Sequence, residues 1–203
     1  KEILRHCPPQ LLPKENHVKR RLKSHRSTAE TSTKNRTSNP WKAGNCRAWL
    51  VKYCIDTSSI LHAWIEAYPP TNFPPVWNKL NDFISKGRII SSEEVLRELK
   101  KKHDPAYLWA KGHLGLFQPL DDPTQILVAE ILLKYERLVD TRKGRIGADP
   151  FVIAVTKLTN ATLITNEVLT NNISKPNIPD VCDAMGIPSK NILQLIQTEG
   201  WVF

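Results

Sequence analysis

Residues 53–61 read YCIDTSSIL and place one carboxylate, Asp56, between an apolar run and three hydroxyl side chains. The apolar residues before Asp56 are typical of a buried strand, and residues 58–68, SSILHAWIEAY, have the spacing of an amphipathic helix. In parallel α/β sheets, ligands bind where strands end and helices begin. Asp56 is predicted to lie at such a point, although an Asp followed by Ser is also a common helix cap.

Apolar segments and turn signals alternate from residue 51 to the end of the chain. Residues 88–91 and 161–165 have the composition of short strands, whereas residues 76–87 and 123–138 carry apolar residues at helical spacing. Strands that alternate with helices favour a mostly parallel sheet covered by helices. The predicted fold class is therefore α/β.

A second carboxylate, Glu98, lies in the middle of the predicted helix SEEVLRELKKK, residues 92–102. This position has no capping role, and the spacing from Glu94 is a like-charge spacing that costs about 0.2–0.5 kcal/mol. A structural explanation is an ion pair with Lys102, one helical turn further on. The sequence supports this pair and a functional role for Glu98 about equally.

Two further acids lie at boundaries between segments. Asp149 directly precedes Pro150 in GADPFVIA, where its side chain is expected to cap a new helix. Glu167 follows a predicted buried strand in LITNE. This is again the carboxyl end of a strand, so the topology brings both acids toward the edge predicted for Asp56.

Four acids that converge on one sheet edge are hard to attribute to capping alone. Clustered carboxylates repel, and the pKa of each is raised unless a cation lies among them. Oxygen ligands without His or Cys suit Mg²⁺ or Mn²⁺ rather than zinc. Such ions activate water and polarise phosphoryl oxygens, which is the chemistry of phosphodiester hydrolysis.

The ordered motifs YCIDTSSIL, VLRELK, GADPFVIA and LITNE resemble the PIN-domain nucleases. That family has an Asp that ends strand one, a helical Glu, an Asp that opens a later helix and a final acid after Thr-Asn. The resemblance covers residues 51–203 and implies a three-layer α/β/α fold. The closing KPNIPDVCDAMGI and GWVF resemble a prokaryotic PIN-like subgroup often grouped with the VapC-type toxins of toxin–antitoxin pairs.

Carried over by position, the resemblance implies a set of acidic catalytic and metal-binding residues: Asp56, Glu98, Asp149 and Glu167, with Ser58 in support of Asp56. Most relatives have Asp at the position of Glu167. Asp180 is therefore the substitute candidate for the fourth carboxylate. Asp56 and Asp149 are expected to be the principal metal ligands.

The resemblance implies an Mg²⁺- or Mn²⁺-dependent endoribonuclease whose substrate is RNA. If the protein is a toxin, a cognate antitoxin should block the acidic cleft, and a homodimer is also expected from the relatives. The basic residues Arg142, Lys143 and Arg145 precede Asp149 and are candidates for gripping the RNA backbone. A merely solvated loop is the equal alternative for these three residues.

The basic charge is concentrated at the start of the chain. Residues 1–52 hold 13 Lys and Arg against 3 Asp and Glu, whereas residues 53–203 hold 16 against 17. Residues 1–50 lack a sustained apolar period and are predicted to be a disordered basic leader before a nuclease domain over residues 51–203. Because bacteria can initiate on valine codons, we expect Val51 to be the native start, the alternative being a tail that binds nucleic acid.

Other functional classes fit the sequence less well. A haloacid-dehalogenase phosphatase needs a second Asp where Ser58 stands. A non-catalytic PIN-like module that binds RNA or protein remains the main alternative, although such modules usually lose acids. The chain has no run of about 18 apolar residues, so we expect a cytoplasmic protein without a membrane partner.

Overall fold

The computed structural model describes residues 53–139 and 147–203. Within these residues, five strands form one sheet in which every neighbouring pair is parallel, in the order β3–β2–β1–β4–β5. The strands are β1 (Tyr53–Ile55), β2 (Ile89–Ser92), β3 (Phe117–Gln118), β4 (Thr162–Ile164) and β5 (Ser189–Lys190). The predicted parallel α/β sheet is confirmed.

Eight α-helices connect and cover these strands in the described part of the chain. They are α1 (Thr57–His62), α2 (Pro74–Ser85), α3 (Glu93–Lys102), α4 (Asp104–Lys111), α5 (Asp122–Lys134), α6 (Asp149–Thr159), α7 (Ile178–Ala184) and α8 (Ile192–Thr198). A π-helix, Ala63–Ala67, continues α1, and short 3₁₀ turns occupy Leu114–Leu116 and Glu136–Leu138. None of the helices described is long and apolar enough to cross a membrane.

Helices cover both faces of the sheet. All residues of β1 and β2 are buried, and successive side chains of a strand point to opposite faces. A strand that is buried on both faces is the mark of a sheet enclosed between two helical layers. The structure therefore has three layers, with the parallel sheet between two layers of helices.

The carboxyl ends of the strands lie along one edge of the sheet, and the predicted acids lie in the segments that follow this edge. Ile55 of β1 is in register with Ile164 of β4, and the Asp56 N–H donates to the carbonyl of Ile164 at 3.0 Å. The residues that follow β1 and β4 are therefore held side by side. β2 leads directly into α3, the helix that carries Glu98.

Two helix predictions need correction at their ends. The helix predicted over residues 58–68 changes to π-helical spacing at Ala63. The helix predicted over residues 123–138 ends at Lys134, because Tyr135 leaves the helical region with φ −127° and ψ 60°. Neither change moves a predicted site residue.

Leu163 lies in the central part of the core and supplies a test of the fold. Its side chain is fully buried in β4, whereas Leu133 on the outer face of α5 is 80% exposed. We expect Leu163→Ala to lower the free energy of unfolding by about 2–5 kcal/mol through lost burial and a cavity. Leu133→Ala should change it by less than about 0.5 kcal/mol. Urea unfolding of both variants checks this, and equal losses would contradict the core assignment.

Candidate functional site

Asp56 is buried at the carboxyl end of β1 and caps α1. Its Oδ1 accepts a hydrogen bond from the Ser59 N–H at 2.8 Å. Its Oδ2 accepts from the Ser58 hydroxyl at 2.8 Å and from the Thr165 hydroxyl at 2.9 Å. A carboxylate offers about four acceptor positions, so three are used and one remains for a ligand.

The environment of Asp56 opposes its charge despite these bonds. Burial raises the pKa of Asp56 to about 6, and the nearby Glu167 carboxylate adds to the rise. The hydrogen bonds from Ser59, Ser58 and Thr165 lower the pKa but do not cancel the effect of burial. The capping role is real, yet a cap does not require a buried carboxylate with a raised pKa.

Glu98 joins α3 to the start of α6. Its Oε1 accepts from the Ala148 N–H at 3.2 Å, and its Oε2 accepts from the Lys102 ammonium at 3.3 Å. Burial acts to raise the pKa of Glu98, but the Thr57 hydroxyl, Lys102 and the Ala148 N–H together hold it below its ordinary value. The helical ion pair with Lys102 is therefore present, and Glu98 also has a tertiary contact that such a pair does not explain.

Asp149 is the first residue of α6, and the prediction that it caps this helix is wrong. The cap position is Ala148, and no side chain makes a capping bond there. The helix begins one residue earlier than predicted, so Asp149 lies inside the first turn. Its carboxylate makes no hydrogen bond with any residue that the structure describes.

The surroundings of Asp149 identify its neighbours. Burial raises its pKa to about 7, and repulsion from Glu167, Glu98 and Asp56, in that order, adds to the rise. Lys102 acts in the opposite direction. The four acids named from the sequence therefore lie close enough to repel one another at the carboxyl edge of the sheet.

The fourth acid is held by the helix that follows it. Glu167 Oε2 accepts from the Ile178 N–H at 2.8 Å, at the first residue of α7. The Glu167 N–H donates to the Thr165 hydroxyl at 3.1 Å. Asp180, the substitute candidate, is instead fully engaged by four hydrogen bonds to Thr170, Asn171 and Asn177. It is also absent from the charges that shift the pKa of Asp56 or Asp149.

A glycine and an unpaired hydroxyl border the acids. A Cβ added at Gly147 would lie 3.5 Å from Glu98 Oε1 and 4.0 Å from Asp149 Oδ2, so the glycine leaves space between these two carboxylates. The Thr57 hydroxyl is buried and lies near enough to Glu98 to lower its pKa, yet its position does not satisfy hydrogen-bond geometry with any partner. A buried hydroxyl without a partner is unfavourable unless a ligand or water completes it.

Within residues 53–139 and 147–203, no group of three or more Asp, Glu, His or Cys side chains is arranged to hold a metal ion as it stands. Arg142, Lys143 and Arg145, the candidates for RNA binding, lie outside the described residues. Their predicted role stays a prediction.

Sequence reasoning missed two hydroxyl residues of the site, Thr57 and Thr165. Thr165 bridges Asp56 Oδ2 and the Glu167 N–H, and so joins the ends of β1 and β4. Only their position in the sequence could have indicated these residues. Thr165 immediately follows an apolar strand, and Thr57 immediately follows the acid that ends one. That signal is weak without the register between the two strands.

A family model described as "Domain of unknown function (DUF4411)" matches residues 53–203. Among solved structures, the chain is similar to one chain of the crystal structure of VapBC2 from Rickettsia felis bound to a DNA fragment from their promoter, with 20% sequence identity and a TM-score of 0.43. The alignment covers 70% of this chain and 98% of that chain. No curated protein matches the chain.

The raised pKa values predict how stability depends on pH. In the folded chain Asp56 and Asp149 keep their protons up to about pH 6 and about pH 7, whereas in the unfolded chain they lose them near their ordinary pKa. Their stabilising contribution is therefore complete below the ordinary pKa and is lost as the pH rises through the folded values. We expect the melting temperature in EDTA to fall between about pH 5 and about pH 8.

Asp149→Asn should show a smaller fall over this range, because the group that titrates near pH 7 is gone. Asp183 is an exposed carboxylate on α7. Asp183→Asn is therefore the matched control, and its melting temperature should vary with pH as that of the wild type does. Thermal melts at several pH values measure both. A wild-type melting temperature that is flat or rises over this range would contradict the placement of the acids.

Proposed function

The chain belongs to the family described as Domain of unknown function (DUF4411), and we propose that it is a metal-dependent endoribonuclease of the PIN type. The observation that carries the proposal is the placement of the buried Asp149 carboxylate near those of Glu167, Glu98 and Asp56, which come from separate segments and repel it. A chain that serves only to fold gains nothing from such repulsion. A divalent cation would convert the same arrangement into attraction.

The chemistry of the donors fits a hard cation. The four acids supply oxygen atoms only, as Mg²⁺ and Mn²⁺ prefer. Asp56 has one acceptor position unused, Asp149 is without a hydrogen bond to the described residues, and the Thr57 hydroxyl is unpaired. These groups retain the capacity to bind an ion, and Lys102, with a side chain 52% exposed, is a weak counter-charge for them.

Each acid has a proposed role. Asp56 and Asp149 are the principal ligands, Glu98 is a ligand or orients a water molecule, and Glu167 serves a second, weaker ion. When bound, Mg²⁺ or Mn²⁺ supplies an activated water and polarises phosphoryl oxygens. Ser58 and Thr165 hold Asp56 in place for this task through their hydroxyls. A water nucleophile needs no covalent intermediate on the protein.

RNA as the substrate, a cognate antitoxin and a homodimer are proposals that rest on the resemblance of the sequence motifs to toxin nucleases. The presence of a gene for a small DNA-binding protein directly beside this one would support the toxin role. The alternative function is a non-catalytic module that binds RNA or protein through the same edge of the sheet.

Cleavage by the intact protein provides the first test. We expect single-stranded RNA to be cut in Mn²⁺ or Mg²⁺ and to stay intact in EDTA. Asp149→Asn keeps the volume of the side chain and removes the charge, so the rate should fall by at least about a hundredfold, the upper range for residues that merely support a metal ligand. Gel analysis of labelled RNA measures the rates.

Asp183→Asn should leave the rate unchanged, because this exposed carboxylate is not among the clustered acids. Equal cleavage by Asp149→Asn and the wild type would disprove the site assignment. RNA that is retained by the protein but never cut, with or without metal, would favour the non-catalytic alternative.

Thermal stability provides a test that does not depend on activity. An ion that binds only the folded chain stabilises it by about 2.7 kcal/mol at a hundred times its dissociation constant. We therefore expect millimolar Mn²⁺ to raise the melting temperature of the wild type. In Asp56→Asn this rise in melting temperature should be smaller. Because the substitution also alters the cap of α1, the rise is measured against the metal-free melt of the same variant. A wild type that does not respond to Mn²⁺ or Mg²⁺ would refute the proposed ion.

A further inference from the structure

Asp180 is a buried carboxylate with an unusually complete set of hydrogen bonds. Its Oδ1 accepts from the backbone N–H groups of Thr170 at 2.9 Å and Asn171 at 2.7 Å. Its Oδ2 accepts from the Thr170 hydroxyl at 2.8 Å and from the Asn177 N–H at 2.8 Å. Every acceptor position is used, so this acid has no capacity left for a metal ion.

These bonds join two segments that meet beside the candidate site. Thr170 and Asn171 lie in the loop that follows β4, whereas Asn177 is the cap of α7. Two more bonds run between the same segments, from the Asn177 side-chain amide to the Val168 carbonyl at 2.9 Å and from the Ile178 N–H to Glu167 Oε2 at 2.8 Å. Hydrogen bonds of Asp180, Val168 and Glu167 thus join the loop to the first turn of α7. The bond of Glu167 is the one nearest the candidate site.

The turn in this loop depends on Asp180. Asn171 has φ 57°, in the left-handed region, which is unfavourable for a residue other than glycine, although less so for Asn and Asp. The two N–H groups that this conformation turns inward, those of Thr170 and Asn171, both point to Asp180 Oδ1. Without the carboxylate, the turn would lose the bonds that compensate its strain.

The position of Glu167 depends in turn on this loop. Its long side chain loses rotamer entropy on being fixed, so a defined position needs a hydrogen bond that holds it. The Ile178 N–H supplies this hydrogen bond, since it donates to Oε2 of Glu167 at 2.8 Å. The bond acts only while α7 and the loop keep their relative positions.

We propose that Asp180 is a positioning residue that fixes the loop after β4 to the start of α7 and so presents the Glu167 carboxylate to the candidate metal site. This proposal rests on the proposed function only for the role of Glu167 as a metal ligand. The way in which Glu167 is held does not depend on that function. Asp180 itself touches neither the ion nor the substrate.

A double-mutant cycle tests whether Asp180 acts through Glu167. Asn in place of Asp180 keeps the shape but offers one acceptor oxygen, and its amide group cannot accept from the Asn177 N–H. In the full chain we expect Asp180→Asn to weaken Mn²⁺ binding about 10–100-fold, as other residues that orient metal ligands do. Glu167→Gln should weaken it at least as much, and the double variant no more than Glu167→Gln alone. Calorimetric titration with Mn²⁺ measures all four proteins, and losses that add would overturn the proposal.

Hydrogen exchange supplies a second readout that needs neither metal nor RNA. In the metal-free protein, the amide of Ile178 should exchange faster in Asp180→Asn than in the wild type, because its bond to Glu167 Oε2 loosens with the loop. Asp183→Asn, on the same helix and exposed, should leave this amide unchanged. Equal protection of Ile178 in Asp180→Asn and the wild type would overturn the proposal, whatever the titrations give.

The two readouts separate this proposal from the proposed function. If the wild type neither binds Mn²⁺ nor cuts RNA, the nuclease proposal fails and the exchange of Ile178 alone decides how Glu167 is held. If Asp180→Asn does not fold, Thr170→Val replaces it, since this change keeps the three backbone bonds to Asp180. It removes the hydroxyl bond to Asp180 of 2.8 Å and the bond of 3.2 Å that the same hydroxyl accepts from the Asn172 N–H. It should give a smaller increase in Ile178 exchange, and no increase would overturn the proposal.

Discussion

Repulsion of Asp149 by three other carboxylates at one edge of a parallel sheet is the constraint on which the proposed chemistry of this protein depends. Asp56 and Asp149 are held where burial and their neighbours raise the pKa to about 6 and about 7. The buried strands β1, β2 and β4 supply the rigid frame that keeps these acids together. A native state is stable by only about 5–15 kcal/mol, so the proposed cation would relieve an arrangement that otherwise opposes folding.

Hydrogen bonds from neighbouring elements determine where each acid stands. Asp56 is held by α1 and by the hydroxyl that follows β4. Glu98 is held by the N–H of the residue that precedes α6, and Glu167 by the start of α7. The site is therefore built from contacts between elements distant in sequence, and a shift of one helix moves one acid. Such contacts explain why the same residues serve folding and the site at once.

The sequence predicted the parallel α/β sheet because β1, β2 and β4 each contain adjacent apolar residues and lie between segments of helical period. It did not predict β3 or β5, since a strand of two residues has no period to detect. The prediction that Asp149 caps α6 failed for a tertiary reason. At the start of this helix, Glu98, fifty residues away in the chain, accepts from the N–H of the cap residue Ala148, a contact that the local sequence does not show. The role of Asp180 was equally hidden, because its four bonds depend on a loop conformation that no pattern of residues specifies.

Asp149 and Asp180 illustrate how environment separates a proposed metal ligand from a structural acid. Burial acts to raise the pKa of both, but four hydrogen bonds reverse its effect at Asp180 and hold that pKa below the ordinary value. Asp149 has no such bonds among the described residues and three carboxylates as neighbours, so its pKa rises to about 7. A carboxylate whose acceptors are satisfied contributes to the fold and has little affinity left for an ion. A carboxylate that is crowded by like charge retains that affinity, which is why the two aspartates receive opposite roles.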